Sequence, residues 1–129
     1  ANQLGVLRED WLLREALIIG LRRVEDYSTR YVCLPAIVDA LRDKATSVQI
    51  AAMNHLSLID DRIYDILVSK ISEESGSGPA VMIAALEALT DYRLDSKTRE
   101  RVIELLGHRN RKVRLMALRL LKQKRKIAS

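Results

Sequence analysis

The chain has 129 residues, 48% hydrophobic and 30% charged, a balance that belongs to a soluble globular protein able to bury a core without disulfides or metals. With no Phe, one Trp and four Tyr the core must be aliphatic, and five Gly and two Pro are too few for a run of tight hairpins. An all-β fold is excluded and an all-α fold expected. Net charge is +5, but residues 107–129 hold nine Lys or Arg and no acid, while residues 1–106 hold 13 basic and 17 acidic side chains.

Apolar spacing and capping residues predict about seven helices. The first runs near Leu4 to Val24. Its apolar stretch from Trp11 to Leu21 is broken by Arg14 and Glu15 and is too short to cross a bilayer. No signal peptide precedes it, and because the first residue is Ala the chain is expected to be part of a longer protein. A second helix is expected near Tyr31 to Asp43, with Pro35 either opening or kinking it. Cys33 sits there as a lone thiol, which excludes an internal disulfide framework and reads as a small core residue in a reducing, cytoplasmic setting.

A third helix is expected near Ser47 to Leu58, opened by a T-x-x-Q capping box of Thr46 and Gln49. Asp60 caps a fourth, near Asp61 to Ser72, by accepting an exposed amide hydrogen. The linker Ser72-Glu-Glu-Ser-Gly-Ser-Gly78 follows, the longest and most polar loop. Pro79 then stands at a first helical position, where its missing N–H costs nothing, and a fifth helix runs to about Asp91. Asp95 or Ser96 caps the sixth, near Ser96 to Gly107, and the seventh runs near Arg111 to Arg125.

The decisive pattern is repetition. Val48, Ala52 and Leu56 match Val81, Ala85 and Leu89, then Val113, Ala117 and Leu121. Each triplet is spaced i, i+4, i+8, one stripe along a helix. The preceding helices repeat too: Ile37, Val38 and Leu41 match Leu67, Val68 and Ile71, then Val102, Ile103 and Leu106. The second set keeps register once the 72–78 loop is counted as an insertion. The central Ala lets two helices approach where a Leu would hold them apart. A lone helix pair cannot bury both faces, so neighbouring pairs must stack.

On these residues the chain resembles the HEAT-repeat family of the wider HEAT and armadillo superfamily, over roughly Tyr31 to Lys126. The resemblance rests on helix pairs of about 32 residues and on second helices of the form V-x-x-x-A-x-x-x-L. Val113-Arg114 preserves the Val-Arg pair common in such repeats. Gln49 and Met82 replace the Arg elsewhere, and the frequent inter-helix Asp is missing. The resemblance implies a right-handed α-α superhelix of about three helix pairs plus a leading helix. It implies one solenoid over 1–129, with a leading helix or half-repeat at 1–26 and repeats at 27–58, 59–91 and 94–126.

Catalytic chemistry is not legible. His55 and His108 lie in separate repeats, and neither is followed by the Glu that HEAT-like di-iron hydroxylases carry; each suits a surface or capping role. The acidic pairs Glu9-Asp10, Asp60-Asp61 and Glu73-Glu74 fall in polar or helix-start positions. Gly76 and Gly78 lack the Lys-Ser/Thr of a phosphate loop. No catalytic, metal or cofactor site is therefore expected.

The basic end holds the candidate site. Lys112, Arg119 and Lys126 recur at i, i+7, i+14, with Lys122 and Arg111 alongside, as a positive stripe opposite Val113, Ala117 and Leu121. By resemblance the second helices of such solenoids line the concave surface, so the stripe would face a groove. A protein-interaction or scaffold module is the favoured expectation, its partner unidentified and acidic if it meets the stripe. Nucleic-acid or phosphate binding through the same helix is the rival, although no aromatics interleave the cations. A fragment of a HEAT-like enzyme, such as the DNA glycosylases or bilin lyases, is a third alternative.

Overall fold

The computed structural model describes residues 34–56, 59–73 and 76–128, and every regular element among them is helical. The helices are α1 Leu34–Leu41, α2 Thr46–Asn54, α3 Asp61–Ile71, α4 Pro79–Ala88, α5 Ser96–Leu105 and α6 Arg111–Ala128. A 3-10 turn, Leu89–Asp91, prolongs α4. The all-α expectation holds. The leading helix expected near Leu4 to Val24, and Cys33, lie outside the described residues.

Short-range chemistry sets the helix starts. Asp60 Oδ1 accepts from the Arg62 amide at 2.8 Å and opens α3; Asp95 Oδ1, not Ser96, accepts from the Thr98 amide at 2.7 Å and opens α5. Gly78 is the cap of α4, with Pro79 in its first turn. Pro35 lies in α1 next to Leu34, where the described part of that helix begins.

The capping box expected of Thr46 and Gln49 does not form. Thr46 is already helical and Ala45 is the cap. Asp43 does the work instead: its Oδ1 accepts from the Ala45 amide at 2.9 Å, and its carbonyl accepts from the Gln49 side-chain Nε2. An Asp two residues ahead of the cap makes its own turn with the backbone, and that local bond displaced the Thr.

The chain divides into two units, residues 1–58 and 59–129. In the first, α1 packs on α2, and Leu34, Ala40, Leu41, Val48, Ala51, Ala52 and Met53 are buried. α2 stops at Asn54, where the His55 amide closes on the Ala51 carbonyl at 3.1 Å, so Leu56 lies past the helix and is half-buried.

In the second unit α3 packs on α4, α5 on α6, and α4 on α6. Val81, Ala85 and Leu89 are buried together, as are Val113 and Ala117, so two of the matched stripes meet in one core. Ala85 and Ala117 have no exposed surface, which is the requirement for close helix approach. Two details depart from the repeat. On α6 the buried row continues through Met116 and Leu120, leaving Leu121 half-buried. On α5 Val102 and Leu105 are buried beside Thr98, whereas Ile103 and Leu106 are exposed. α5 ends one residue before Leu106, whose amide bonds the Ile103 carbonyl at 3.1 Å in a tightened last turn.

Polar bonds join the two pairs of this unit. Tyr64 of α3 donates its hydroxyl proton to Thr98 Oγ1 at 3.0 Å and accepts from the Asp95 amide at 3.1 Å. Arg101 of α5 donates through Nε to the Ile71 carbonyl at 2.7 Å, which satisfies an orphan acceptor at the end of α3.

Candidate binding groove

α6 begins where Asn110 turns its side chain back on the helix. Its Oδ1 accepts from the amides of Lys112 at 2.9 Å and Val113 at 3.2 Å. The preceding turn is held by His108, whose Nδ1 accepts from the Asn110 amide at 3.0 Å. Arg114 Nη1 donates to the carbonyls of His108 at 2.8 Å and Arg109 at 3.0 Å. His108 is thus a turn residue, and Arg114 of the Val-Arg pair is committed to backbone carbonyls. The Asn110 cap carried a sequence signal, an Asn directly before a basic helix, that spacing alone did not reveal.

Val113, Met116, Ala117 and Leu120 form the face of α6 turned to the core. At about 100° per residue, Lys112 and Arg119 then stand roughly a quarter turn from that face, and Arg111 and Lys122 stand nearly opposite it. All four are exposed. The expected single stripe opposite the apolar row is therefore split between a flank and an outer edge. Lys126 continues the helix, and its side chain lies outside the described ones.

Three of the cations line a groove. Ile83 and Glu87 of α4, with Lys112, Leu115, Met116, Leu118, Arg119 and Lys122 of α6, enclose a concavity of about 620 Å³. Arg111 is not among its walls. Leu115 is 52% exposed and Leu118 is 40% exposed. The groove is an apolar floor edged by positive charge, not a purely basic strip. Sequence reasoning missed the leucines because they fall outside the i, i+4, i+8 row; two large aliphatics on the far side of an otherwise basic helix were the available signal.

The electrostatics are one-sided. Among the described residues ion pairs join Arg62 to Asp60 at 3.5 Å and Arg101 to Glu104 at 3.1 Å, and none joins a groove cation to an acid. Glu87 is the acidic member of the lining. No group of three or more His, Cys, Asp or Glu side chains is placed to hold a metal among the described residues. Nor is any helix among them long and apolar enough to cross a membrane.

Comparison with family models, with curated proteins and with solved structures finds no match.

Proposed function

We propose that this chain is a non-catalytic protein-interaction module, a HEAT-like α-solenoid whose α4–α6 groove receives an amphipathic segment with acidic flanks. The groove carries this reading: Leu115, Met116 and Leu118 offer apolar contact while Lys112, Arg119 and Lys122 edge it with unpaired positive charge. Exposed aliphatics rimmed by polar groups mark contact surfaces, and covering a leucine completely contributes about 1.5–3 kcal/mol. The opposed charges would orient the segment and speed its encounter. Support for the solenoid comes from the matched stripes of α4 and α6 meeting in one core.

A second reading, nucleic-acid or phosphate binding, draws on the four exposed cations Arg111, Lys112, Arg119 and Lys122 of a helix without acidic residues. Phosphate recognition needs donors and has no use for leucines.

One experiment divides the two. The full chain is titrated with a fluorescent acidic amphipathic helix and, separately, with duplex DNA and RNA over rising salt. Leu115→Ser should abolish peptide binding and leave any nucleic-acid binding intact. Charge reversal at Lys112, Arg119, Lys122 and Lys126 should weaken both. Tight duplex binding that falls steeply and linearly with salt on logarithmic axes, unaffected by Leu115→Ser, would replace the protein-binding reading.

A further inference from the structure

The α3–α4 and α5–α6 pairs are in register, with α5 offset from α3 by 35 residues and α6 from α4 by 32, so equivalent positions can be compared for what covers them. On α3 and α4 the outward positions are Val68, half-buried, with Ile71 and Leu86, both completely buried. α5 and α6 lie beside them, through the α4–α6 packing and the Arg101 bond to the Ile71 carbonyl. The equivalents one pair on are Ile103, Leu106 and Leu118, exposed by 50%, 37% and 40%. Arg101 reaches back toward α3, and Ile103 and Leu106 project roughly opposite to it at about 100° per residue. The same aliphatic positions that seat a helix pair on one side are open on the other.

A polar difference bears on the chemistry of a helix that would cover this face. Tyr64 receives the first turn of α5, accepting from the Asp95 amide and donating to Thr98. Its equivalent on α5 is Arg99, an exposed cation. A helix start already carries partial positive charge, so a guanidinium there is favourable only if the arriving helix supplies carboxylates in that turn.

We propose that the outer face of the α5–α6 pair, built from Ile103, Leu106, Leu118 and Arg99, seats an aliphatic-faced helix of another protein whose first turn is acidic. It is a second contact surface: Leu118 is a lining residue it shares with the groove, and Arg99, Ile103 and Leu106 belong to it alone. Repeat equivalence sets direction: a helix seated as α5 is seated on α3 brings its first turn to the position of Tyr64, where Arg99 stands. A second copy of this chain is a poor occupant, because residues 107–129 would bring nine further cations to the same face.

The test uses the full chain and two stapled synthetic helices of about five turns, identical in their Leu and Ile face. One carries Asp and Glu in its first turn, the other Lys. Fluorescence anisotropy should show the acidic helix binding and the basic one roughly tenfold weaker or not at all. Ile103→Glu should weaken the acidic helix roughly tenfold, and Arg99→Glu should invert the preference between the two. Leu115→Ser, which disables the groove, should leave these affinities unchanged, so the two surfaces fail independently. Circular dichroism confirms that each exposed substitution leaves the helices intact. Equal binding of both helices, insensitivity to Ile103→Glu, or self-association in the ultracentrifuge that Ile103→Glu abolishes, would each overturn the proposal.

Discussion

Tyr64 and Tyr92 lean on each other with ring centroids 5.6 Å apart and planes tilted by 41°, and each hydroxyl serves a different helix start. Tyr64 serves α5 through Asp95 and Thr98, while Tyr92 accepts from the Asp60 amide, at the cap of α3, at 3.2 Å. In a chain with four tyrosines and no phenylalanine, two are spent on one junction. Offset aromatic pairs of this kind add to what their burial alone contributes.

Tyr64→Phe keeps the ring pair and removes both hydroxyl bonds. Thr98 is buried, so its hydroxyl loses a donor where water has little access. The expected loss is about 0.5–1.5 kcal/mol, read as a lower urea midpoint with an unchanged slope. An unchanged midpoint would mean that the bonds contribute nothing to stability.

Tyr92→Phe should behave differently with pH. Burial pushes the Tyr92 phenol above its ordinary 10.0, while the bond from the Asp60 amide and the neighbouring carboxylates act less strongly. The unfolded chain therefore ionises first as pH rises. Tyr92 favours the fold fully below pH 10.0, and that contribution drains away as pH climbs through the raised folded value. The variant should be less stable than the parent at neutral pH, having lost a hydrogen bond, and should close that gap in strongly alkaline solution. Parallel stability curves across that range would contradict the assignment.

Asp95 titrates at the opposite end. The Thr98 amide, then the Thr98 hydroxyl, hold its carboxyl below the ordinary 3.8. Its contribution is present above pH 3.8 and is lost as pH falls through the lower folded value. Asp95→Asn keeps a capping oxygen and removes the titration. Acid melts of the two proteins should therefore converge as pH drops, with the parent ahead at neutral pH. A variant losing stability just as steeply over that window would show that other carboxylates govern it.

Ala117→Leu tests the packing of α5 and α6 against α4. The residue is completely buried in the row that also contains Val113 and Leu120, so three extra carbons must force the helices apart or distort their rotamers. A destabilisation of about 1–3 kcal/mol is expected in thermal or urea unfolding. Leu115→Ser on the exposed side of the same helix should fall within about 0.5 kcal/mol of the parent. Equal effects at the two positions would reverse the assignment of the faces of α6.

Local chemistry was legible in the amino-acid order: Asp60 and Asp95 as caps, Pro79 at a first turn, and helix spans resolved within a few residues, because these depend on neighbours along the chain. The apolar row through Val81, Ala85, Leu89, Val113 and Ala117 was legible for the same reason, since helical periodicity assigns a face without reference to a partner. What covers a face was not. Leu86 and Leu118 occupy matching repeat positions, yet one is completely buried and the other open: among the described residues only the first has a further helix pair beside it. Leu115 became part of a groove through the placement of Ile83 and Glu87, 32 and 28 residues earlier, and Tyr64 found Thr98 across 34. Periodicity determines which side of a helix is apolar; the arrangement of helices in space decides which apolar sides remain for another molecule.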